Sequence, residues 1–384
     1  MRFPEFSGEW IESKLGDIAD FSKGAGISKD QRSEEGNPCI LYGELYTRYK
    51  SEVITNVFSK TALPDSNLVK SKANDIIIPA SGETAEDIAT ARCVPFDNIL
   101  LGGDLNIIRL HEQDGKFFSY QLNGVRKYDI ATVAQGVSVV HLHAGDLKGI
   151  TVKYPSHIAE QEKISQILGL IDDRILTQSK IIEELTTLRS ALLEKVFQVS
   201  NPTLEVGAIA HQTSERNKLC RYSNVLSVSN RFGFINQSEQ FEDRNVASDD
   251  VRNYKVVHRG DFAYNPARIN VGSIAMLKSF ESGIVSPMYI CFQVDDTIVD
   301  PSFFELFLET KAFKDEMEIR LEGSVRRCLS FEALCEIHLP RPALLVQRSI
   351  SDKIGNISSK IKLEDRILRA YIRQKEWLLK QMFI

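Results

Sequence analysis

The feature that most constrains this 384-residue chain is a passage that occurs twice. EIHLPRPALLVQRSISDKIG at 336–355 matches GITVKYPSHIAEQEKISQIL at 149–168, so that Pro342 aligns with Pro155. In both copies a short apolar strand ends in that proline, and a helical pattern follows. A solenoid repeat has a period of about 20–50 residues, so this repeat is too long for one. It predicts the duplication of a whole domain together with its trailing helix.

The repeat extends on both sides of these prolines. Four further pairs keep the same offset in residue number: Gly136 with Gly323, Leu142 with Leu329, Leu147 with Leu334, and Ile167 with Ile354. Further upstream, NDIIIPAS at 74–81 resembles GDFAYNPA at 260–267, with an offset that is smaller by one. One residue has therefore been gained or lost between these two regions, as is usual for loops in diverged copies of one domain.

The chain length suits two or three domains, each large enough to bury its own core. We expect four segments: a first domain at 1–155, a central helix at 156–199, a second domain at 200–342, and a C-terminal helix at 343–384. The predicted fold class is α+β, with two repeated mixed α/β domains that are each followed by a long helix.

Composition is typical of a soluble globular protein, with 43% apolar and 26% charged residues. No apolar run approaches the length that a membrane span needs, about 18 residues or more. The opening MRFPEFSGEW has no signal-peptide pattern, and the six cysteines form no CxxC pair. These features predict a cytoplasmic protein with reduced thiols and no membrane association.

The net charge of −5 argues weakly against nucleic acid as a partner. Its distribution qualifies that statement, because residues 343–384 carry nine basic against four acidic side chains while the other three segments are acidic. If the protein holds DNA, local clusters or a partner protein must supply the contacts to phosphate.

Two helical seams follow the two prolines. Steps of three and four residues along the central helix meet apolar side chains at most positions from Leu168 to Val196, and the same is true from Ile350 to Met382. Such seams are typical of coiled coils, so we expect the two long helices to form an antiparallel coiled coil.

Each seam contains two polar residues that are eleven positions apart: Gln178 and Arg189, and Glu364 and Lys375. In an antiparallel pair, facing residues have numbers with a constant sum. Because 189 with 364 and 178 with 375 give the same sum, we predict that Arg189 faces Glu364 and that Gln178 faces Lys375. Buried polar pairs of this kind can fix the register of a coiled coil.

Two variable domains, each followed by a strand, a proline and a long helix, resemble the specificity subunit of type I restriction-modification enzymes. The opening RFPEFSGEW, followed by KLGDIADFSKG, is similar to the usual start of such subunits. The second domain carries the resemblance through YKVVHRGDFAYNPARINVGSIAML at 254–277 and EGSVRRCLSFEAL at 322–334. One departure is that Gln347-Arg348 stands where the first copy has Glu160-Gln161.

The resemblance implies a non-catalytic subunit that reads double-stranded DNA. Each domain would be a target-recognition domain for one half of a split sequence, and the helices would set the gap between the halves. Two modification subunits would dock on the chain, and restriction subunits would complete the complex. The resemblance implies no cofactor.

Motifs for catalysis are weak. Gly115-Lys116 is followed by Phe and so makes no phosphate-binding loop, and Tyr264-Asn265-Pro266-Ala267 lacks the second proline and aromatic ring of an amino-methyltransferase turn. His141 and His143 alternate as metal ligands could, but no third ligand completes a set, so we expect no metal site.

Side chains that read DNA are Arg, Asn, Gln, Ser and Tyr on loops, since these match base edges in the major groove, and Glu can accept from cytosine. Three regions of each domain carry such residues. The candidates in the first domain are Tyr46, Arg48, Ser81, Glu83, Gln135 and Ser138. Those in the second are Asn230, Arg231, Tyr264, Asn265, Arg268, Asn270, Ser324, Arg326 and Arg327.

Two other classes of protein stay open at this point. A self-contained DNA methyltransferase or nuclease with an unrecognised site would bind a methyl donor or cleave DNA on its own. An adaptor built around its coiled coil would bind proteins through the two domains and would protect no DNA.

Overall fold

The computed structural model describes residues 2–64, 67–136, 138–198, 202–237, 250–323 and 327–383. The chain divides into two compact units. The first unit comprises Met1–Ile181 and Glu364–Ile384, and the second unit comprises Ile182–Leu363. Within the described ranges we find no helix with the length and apolar character needed to span a bilayer.

The first unit contains two four-stranded sheets. One is antiparallel, in the order Ala19–Lys23, Leu105–Leu110, Asp75–Pro79 and Arg92–Val94. The other has the order Ser59–Thr61, Asn37–Ile40, Leu100–Leu101 and Val69–Lys70. Two-stranded pairs join Trp10–Lys14 to Thr151–Pro155 and Ser81–Gly82 to Val140–His141. The short helices are Glu44–Thr47, Ala85–Ile88, Gly115–Asn123, Lys127–Val133 and Ala144–Lys148.

The second unit repeats the antiparallel sheet of the first and has two-stranded pairs in place of the other sheet. Its four-stranded antiparallel sheet has the order Ala210–Thr213, Ile290–Val294, Phe262–Tyr264 and Ile274–Met276. Two-stranded pairs join Thr203–Glu205 to His338–Pro340, Leu226–Ser229 to Gly233–Asn236, and Lys255–His258 to Ser282–Val285. The short helices are Pro301–Glu309, Lys311–Arg320 and Phe331–Cys335. The expected mixed fold of two repeated domains is confirmed.

Equivalent aspartates open the central strands of the two antiparallel sheets. The side chain of Asp75 accepts a hydrogen bond from the backbone N–H of Lys72, and Asp261 accepts one from His258, each at 2.8 Å. Each carboxylate therefore closes the turn that leads into its strand, as Asx side chains commonly do. The sequence match between these two strands reflects this shared turn.

The two long helices are the central helix, Ile158–Gln198, and the C-terminal helix, Leu344–Met382. In the first unit Asp172 contacts Lys375, and Gln178 donates to Glu364. Since the residue numbers rise along one helix and fall along the other, the helices are antiparallel, as the seams predicted. In the second unit Arg189 Nε donates to Ser358 Oγ at 2.7 Å.

The predicted register is wrong. Gln178 faces Glu364 rather than Lys375, and Arg189 faces Ser358 rather than Glu364. The two cations instead bind carboxylates outside the seam: Lys375 contacts Glu52, and Arg189 contacts Glu309 at 2.8 Å. The constant-sum argument failed because it assumed that the polar residues of one seam are partners for those of the other.

A buried glutamine joins the central helix to the first unit. The side-chain carbonyl of Gln161 accepts from the N–H of Asp114 at 3.0 Å, and its amide donates to the C=O of Pro155 at 2.9 Å. Asp114 caps the helix Gly115–Asn123 and accepts from Ser165 Oγ at 2.6 Å. Three elements therefore meet at one side chain that is 2% exposed.

The second unit has the same arrangement, and we call the hydrogen bonds of Gln161, and those of Gln347 in the second unit, the glutamine clamp. Gln347 accepts from the N–H of Asp300 and donates to the C=O of Pro342, each at 2.8 Å, while Ser351 donates to Asp300. Gln347 is thus the counterpart of Gln161. After the proline, the difference in residue number between equivalent positions of the two copies is therefore smaller by one. The matching of Ile167 with Ile354 was therefore wrong by one position, and Leu168 is the buried counterpart of Ile354.

A network of charged side chains is buried in the first unit. Lys375 Nζ contacts Glu52 and lies 2.6 Å from Asp172, and Asp172 also accepts from Tyr120 Oη at 2.7 Å and Ser51 Oγ at 2.8 Å. Burial raises the pKa of the Glu52 carboxyl, while attraction to Lys375 opposes that rise. The network ties the C-terminal helix to this unit, since its single cation contacts two buried carboxylates.

We expect Gln161→Ala to lower the free energy of unfolding of the first unit by about 2–4 kcal/mol, because it leaves a buried N–H and a buried C=O without partners. Urea denaturation followed by tryptophan fluorescence measures this, since Trp10 and Trp377 both belong to the first unit. Gln166→Ala, at an exposed position of the same helix, is the matched control. Equal stabilities of the two variants would contradict the clamp.

We expect Lys375→Met to destabilise the first unit by about 3–5 kcal/mol, because Glu52 and Asp172 lose their buried counter-charge. The folded-state pKa of Glu52 is already raised and rises further without the cation. The loss is therefore smallest in acid and grows as pH increases through the raised pKa. Thermal melts at several pH values measure it, with Lys380→Met as a surface control. A pH-independent loss would contradict the assignment.

Candidate nucleic-acid interface

In each unit a hairpin packs against the end of the central strand. Leu142 N–H donates to the C=O of Ala80 at 3.0 Å, and Leu329 N–H donates to the C=O of Pro266 at 3.1 Å. The hairpins are closed by the bridges Gln135–His141 and Glu322–Cys328. The structure thereby brings the candidates near residue 81 together with those near 135, and the candidates near 265 together with Arg327.

The glycines matched by the repeat make these hairpins possible. Gly136 has φ +130° and Gly323 has φ +108°, in the region that disfavours side chains. A Cβ on Gly136 would also lie 2.1 Å from the C=O of Val139. Both copies of the domain therefore keep a glycine directly after the first residue of the bridge that closes the hairpin.

Tyr46 and Arg48 lie on the short helix Glu44–Thr47 and just after it. Burial raises the pKa of the Tyr46 hydroxyl, and the charges of Tyr42, Asp87 and Glu83 add to the effect. The Arg48 guanidinium is 3.2 Å from Glu44 and lies 4.8 Å from the centre of the Phe58 ring. It is half-exposed, held in place, and able to present its outer edge to a ligand.

The hairpin candidates of the first unit differ in exposure. Gln135 and Ser138 are exposed, whereas Ser81 is buried beneath the paired strands and is a poor candidate for direct contact with DNA. The exposed side chains next to it are His141 and His143, whose rings are stacked with their centres 6.5 Å apart. The sequence singled out these histidines only as a weak metal pair.

In the second unit, three candidates from two separate regions line one cavity of about 280 Å³: Asn230, Asn265 and Arg268. The side-chain carbonyl of Asn265 accepts from Ala267 N–H at 3.1 Å, which turns the chain so that Arg268 is exposed at the rim. Two amides and a guanidinium at one cavity can donate to and accept from the edge of a base.

Two exposed apolar side chains, Val271 and Met288, also line this cavity, and sequence reasoning missed them. Phe232 is exposed as well and lies 5.2 Å from the Arg231 guanidinium. Exposed apolar side chains next to polar readers suit contact with a thymine methyl group or with a base face. Their signal in the sequence was an apolar residue within a turn, which is common elsewhere.

The remaining candidates of the second unit fall into three groups. Tyr264 was a wrong prediction, because its ring is fully buried in the core and its hydroxyl donates to the C=O of Leu329 at 3.2 Å. Arg327 is half-exposed and bound to Glu318 at 3.0 Å, while Asn270 is exposed. Ser324 and Arg326 lie outside the described residues.

Possible metal ligands and buried thiols are the reactive groups that bear on catalysis in the described part of the chain. No three or more His, Cys, Asp or Glu side chains there are grouped as metal ligands. Burial raises the pKa of the Cys93 and Cys291 thiols to about 12, so both stay protonated and unreactive near neutral pH.

Comparison with known proteins matches residues 7–187 to the family described as the type I restriction modification DNA specificity domain. The matched segment is just under half of the chain, which is therefore similar to the type I restriction-modification specificity subunits. The chain is 22% identical over 401 aligned residues to the type I restriction enzyme MjaVIII specificity subunit of Methanocaldococcus jannaschii, a match that covers 95% of this chain and 89% of that protein.

Two solved structures share the fold. The S subunit of a type I restriction-modification system from M. genitalium is 18% identical, covers 100% of this chain and 99% of its own, and has a TM-score of 0.65. A chain from a study of complex assembly and conformational transition of the type I R-M system is 13% identical, with coverage of 98% on both sides and a TM-score of 0.55.

Specificity subunits of type I restriction-modification systems are DNA-recognition subunits and are not themselves catalytic. This chain is similar to them along residues 7–187.

We expect Arg268→Ala to relax one position of the recognised motif and to weaken binding to the cognate sequence by about 1–3 kcal/mol, because it removes a charged donor from the cavity. Sequencing of methylated motifs in a host that carries the system measures the change. Tyr264→Phe is the matched control, since it removes only a buried hydroxyl and should leave the motif intact. An unchanged motif for Arg268→Ala would mean that the cavity does not face DNA.

Proposed function

We propose that residues 1–155 and 200–342 each read one half of a split DNA target. The two halves differ in sequence, because the equivalent surfaces of the two units carry different side chains. The long helices set the number of base pairs between the halves and hold two modification subunits. Restriction subunits join the complete complex, and the protein acts in the cytoplasm.

The observation that carries this proposal is one arrangement built twice. In both units a glycine-tipped hairpin packs against the end of the strand that an aspartate opens. The buried positions of the two copies match, such as Leu142 and Leu329, while the exposed ones differ. Two domains that recognise different DNA sequences need the same buried scaffold and different exposed side chains.

The chemistry at these surfaces supports reading of base edges. The first unit offers Gln135, Ser138 and the outer edge of Arg48, and the second offers Asn230 and Arg268, with Asn265 buried in the wall of the same cavity. Amides pair with adenine, and guanidinium groups pair with guanine, in the major groove. The two surfaces therefore favour different bases.

The long helices support the docking of partner subunits. Three leucines of the central helix are at least half exposed: Leu170 (56%) and Leu176 (59%) in the first unit, and Leu188 (50%) in the second. Apolar side chains on the outside of a helix pair, away from its seam, mark surfaces that partner proteins cover. The modification subunits are the partners that this proposal assigns to them.

We expect the helices to act as a ruler. Removing one heptad from the central helix between Gln178 and Arg189, together with the heptad that faces it, keeps the seam in phase and shortens both helices by about 10 Å. The gap in the methylated motif should then shrink by about three base pairs, with both half-sites unchanged.

A deletion of one heptad from the central helix alone is the control, since it puts the two seams out of step and should abolish methylation. The measurement is motif sequencing for both deletions beside the intact chain. If the complex that contains the chain with both helices shortened methylates the original motif with the original gap, the helices are not the ruler. If the intact chain assembled with its modification subunits protects no DNA, the protein is better explained as an adaptor.

A further inference from the structure

Two exposed imidazoles, His141 and His143, have no role in the function proposed so far. Their ring centres are 6.5 Å apart, and their planes are within 14° of parallel. His141 lies at the base of the hairpin, where it pairs with Gln135, and His143 follows it. Two matched rings on this surface could form a binding site for one ligand group.

The strand register places both rings on the face that carries Gln135. Gln135 and His141 exchange both backbone hydrogen bonds, at 2.9 and 2.7 Å, so they are directly opposite and their side chains point to the same side. His143 has an extended backbone and lies two positions along the chain, which returns it to that side. The face therefore presents an amide and two imidazoles together.

The charged groups around this face are mostly acidic. Helix Ala85–Ile88 packs near the strand of His141, and the helix Ala144–Lys148 follows His143. The acidic groups on and beside these elements are Glu83, Glu86, Asp87 and Asp146; the basic ones are Lys148 and, on the neighbouring helix Lys127–Val133, Lys127, which is 3.8 Å from Glu86. A DNA phosphate approaching this face gains little attraction unless the imidazoles are charged.

The second unit is different at the same place. The bridge Glu322–Cys328 corresponds to the bridge Gln135–His141, so Cys328 stands at the position of His141. Arg327 precedes it and carries a permanent charge. The two units therefore have cations of different chemistry beside equivalent hairpins.

We propose that His141 and His143 bind a backbone phosphate of the DNA read by the first unit, and that they do so as imidazolium ions. This inference rests on the proposed function. Each charged ring donates an N–H to a phosphate oxygen, and the protons come from solvent as the complex forms. Two charged rings repel each other at this spacing, and an anion that both contact offsets that repulsion.

The sign of the pH dependence follows from proton uptake. Since the phosphate favours the charged rings, DNA binding takes up protons, and affinity rises as pH falls. One proton taken up gives about a tenfold change in affinity for each pH unit. A cation–phosphate contact added in acid also steepens the salt dependence by about 0.9 in the log–log slope.

The test measures binding of a labelled duplex with the target sequence to the full chain assembled with its modification subunits, at about pH 6 and about pH 8 and at several salt concentrations. The double variant His141→Gln/His143→Gln should lose most of the gain in affinity at the lower pH and should show the shallower salt slope at both. His211→Gln, an exposed imidazole on a strand of the second unit, is the matched control and should keep the full pH response.

The variant His141→Arg/His143→Arg separates charge from shape. It should bind at about pH 8 as tightly as the unaltered complex binds at about pH 6, because its cations are permanent. Equal pH and salt dependence in the glutamine variant and the unaltered complex would overturn the inference and leave the proposed function standing. An unaltered complex that binds its target no better than random DNA at either pH would overturn both.

Discussion

The buried glutamines Gln161 and Gln347 hold the fold together at equivalent points. Each joins the strand that closes its unit, the capped start of a buried helix and the first turns of a long helix. An apolar side chain could fill the same space, but it would leave a peptide N–H and a C=O without partners in the core. Everything that the long helices position therefore depends on two side-chain amides.

Sequence reasoning reached the duplication, the antiparallel helices and the family, because each rests on many residues at once. Apolar periodicity along a whole helix survives individual exceptions, and so does a repeat offset that many pairs share. It failed for single polar side chains such as Arg189 and Lys375. These reach beyond the seam to carboxylates on the globular parts, and nothing in a helical pattern records where an off-seam partner will lie.

The candidate reading surfaces show the same limit. A turn rich in polar residues was enough to find Arg268 and Asn230, which the fold brings to one cavity from two distant parts of the domain sequence. It could not separate Tyr264 from them, because strand alternation at the end of a strand decides which neighbour points into the core. Val271 and Met288 gave only the weak signal of an apolar residue within a turn, and an exposed apolar residue is ordinary until its neighbours in space are known.

The first unit is discontinuous in the chain, whereas the second is a single segment. Leu378 and Phe383 are buried in the core of the first unit, and the Phe383 ring lies 5.1 Å from that of Phe117. During synthesis the second unit can therefore complete its core while the first still waits for the segment that begins at Glu364. Domains usually mature in the order in which they leave the ribosome, and here that order is reversed. The unfinished first unit therefore leaves part of its apolar core uncovered until its last helix is made.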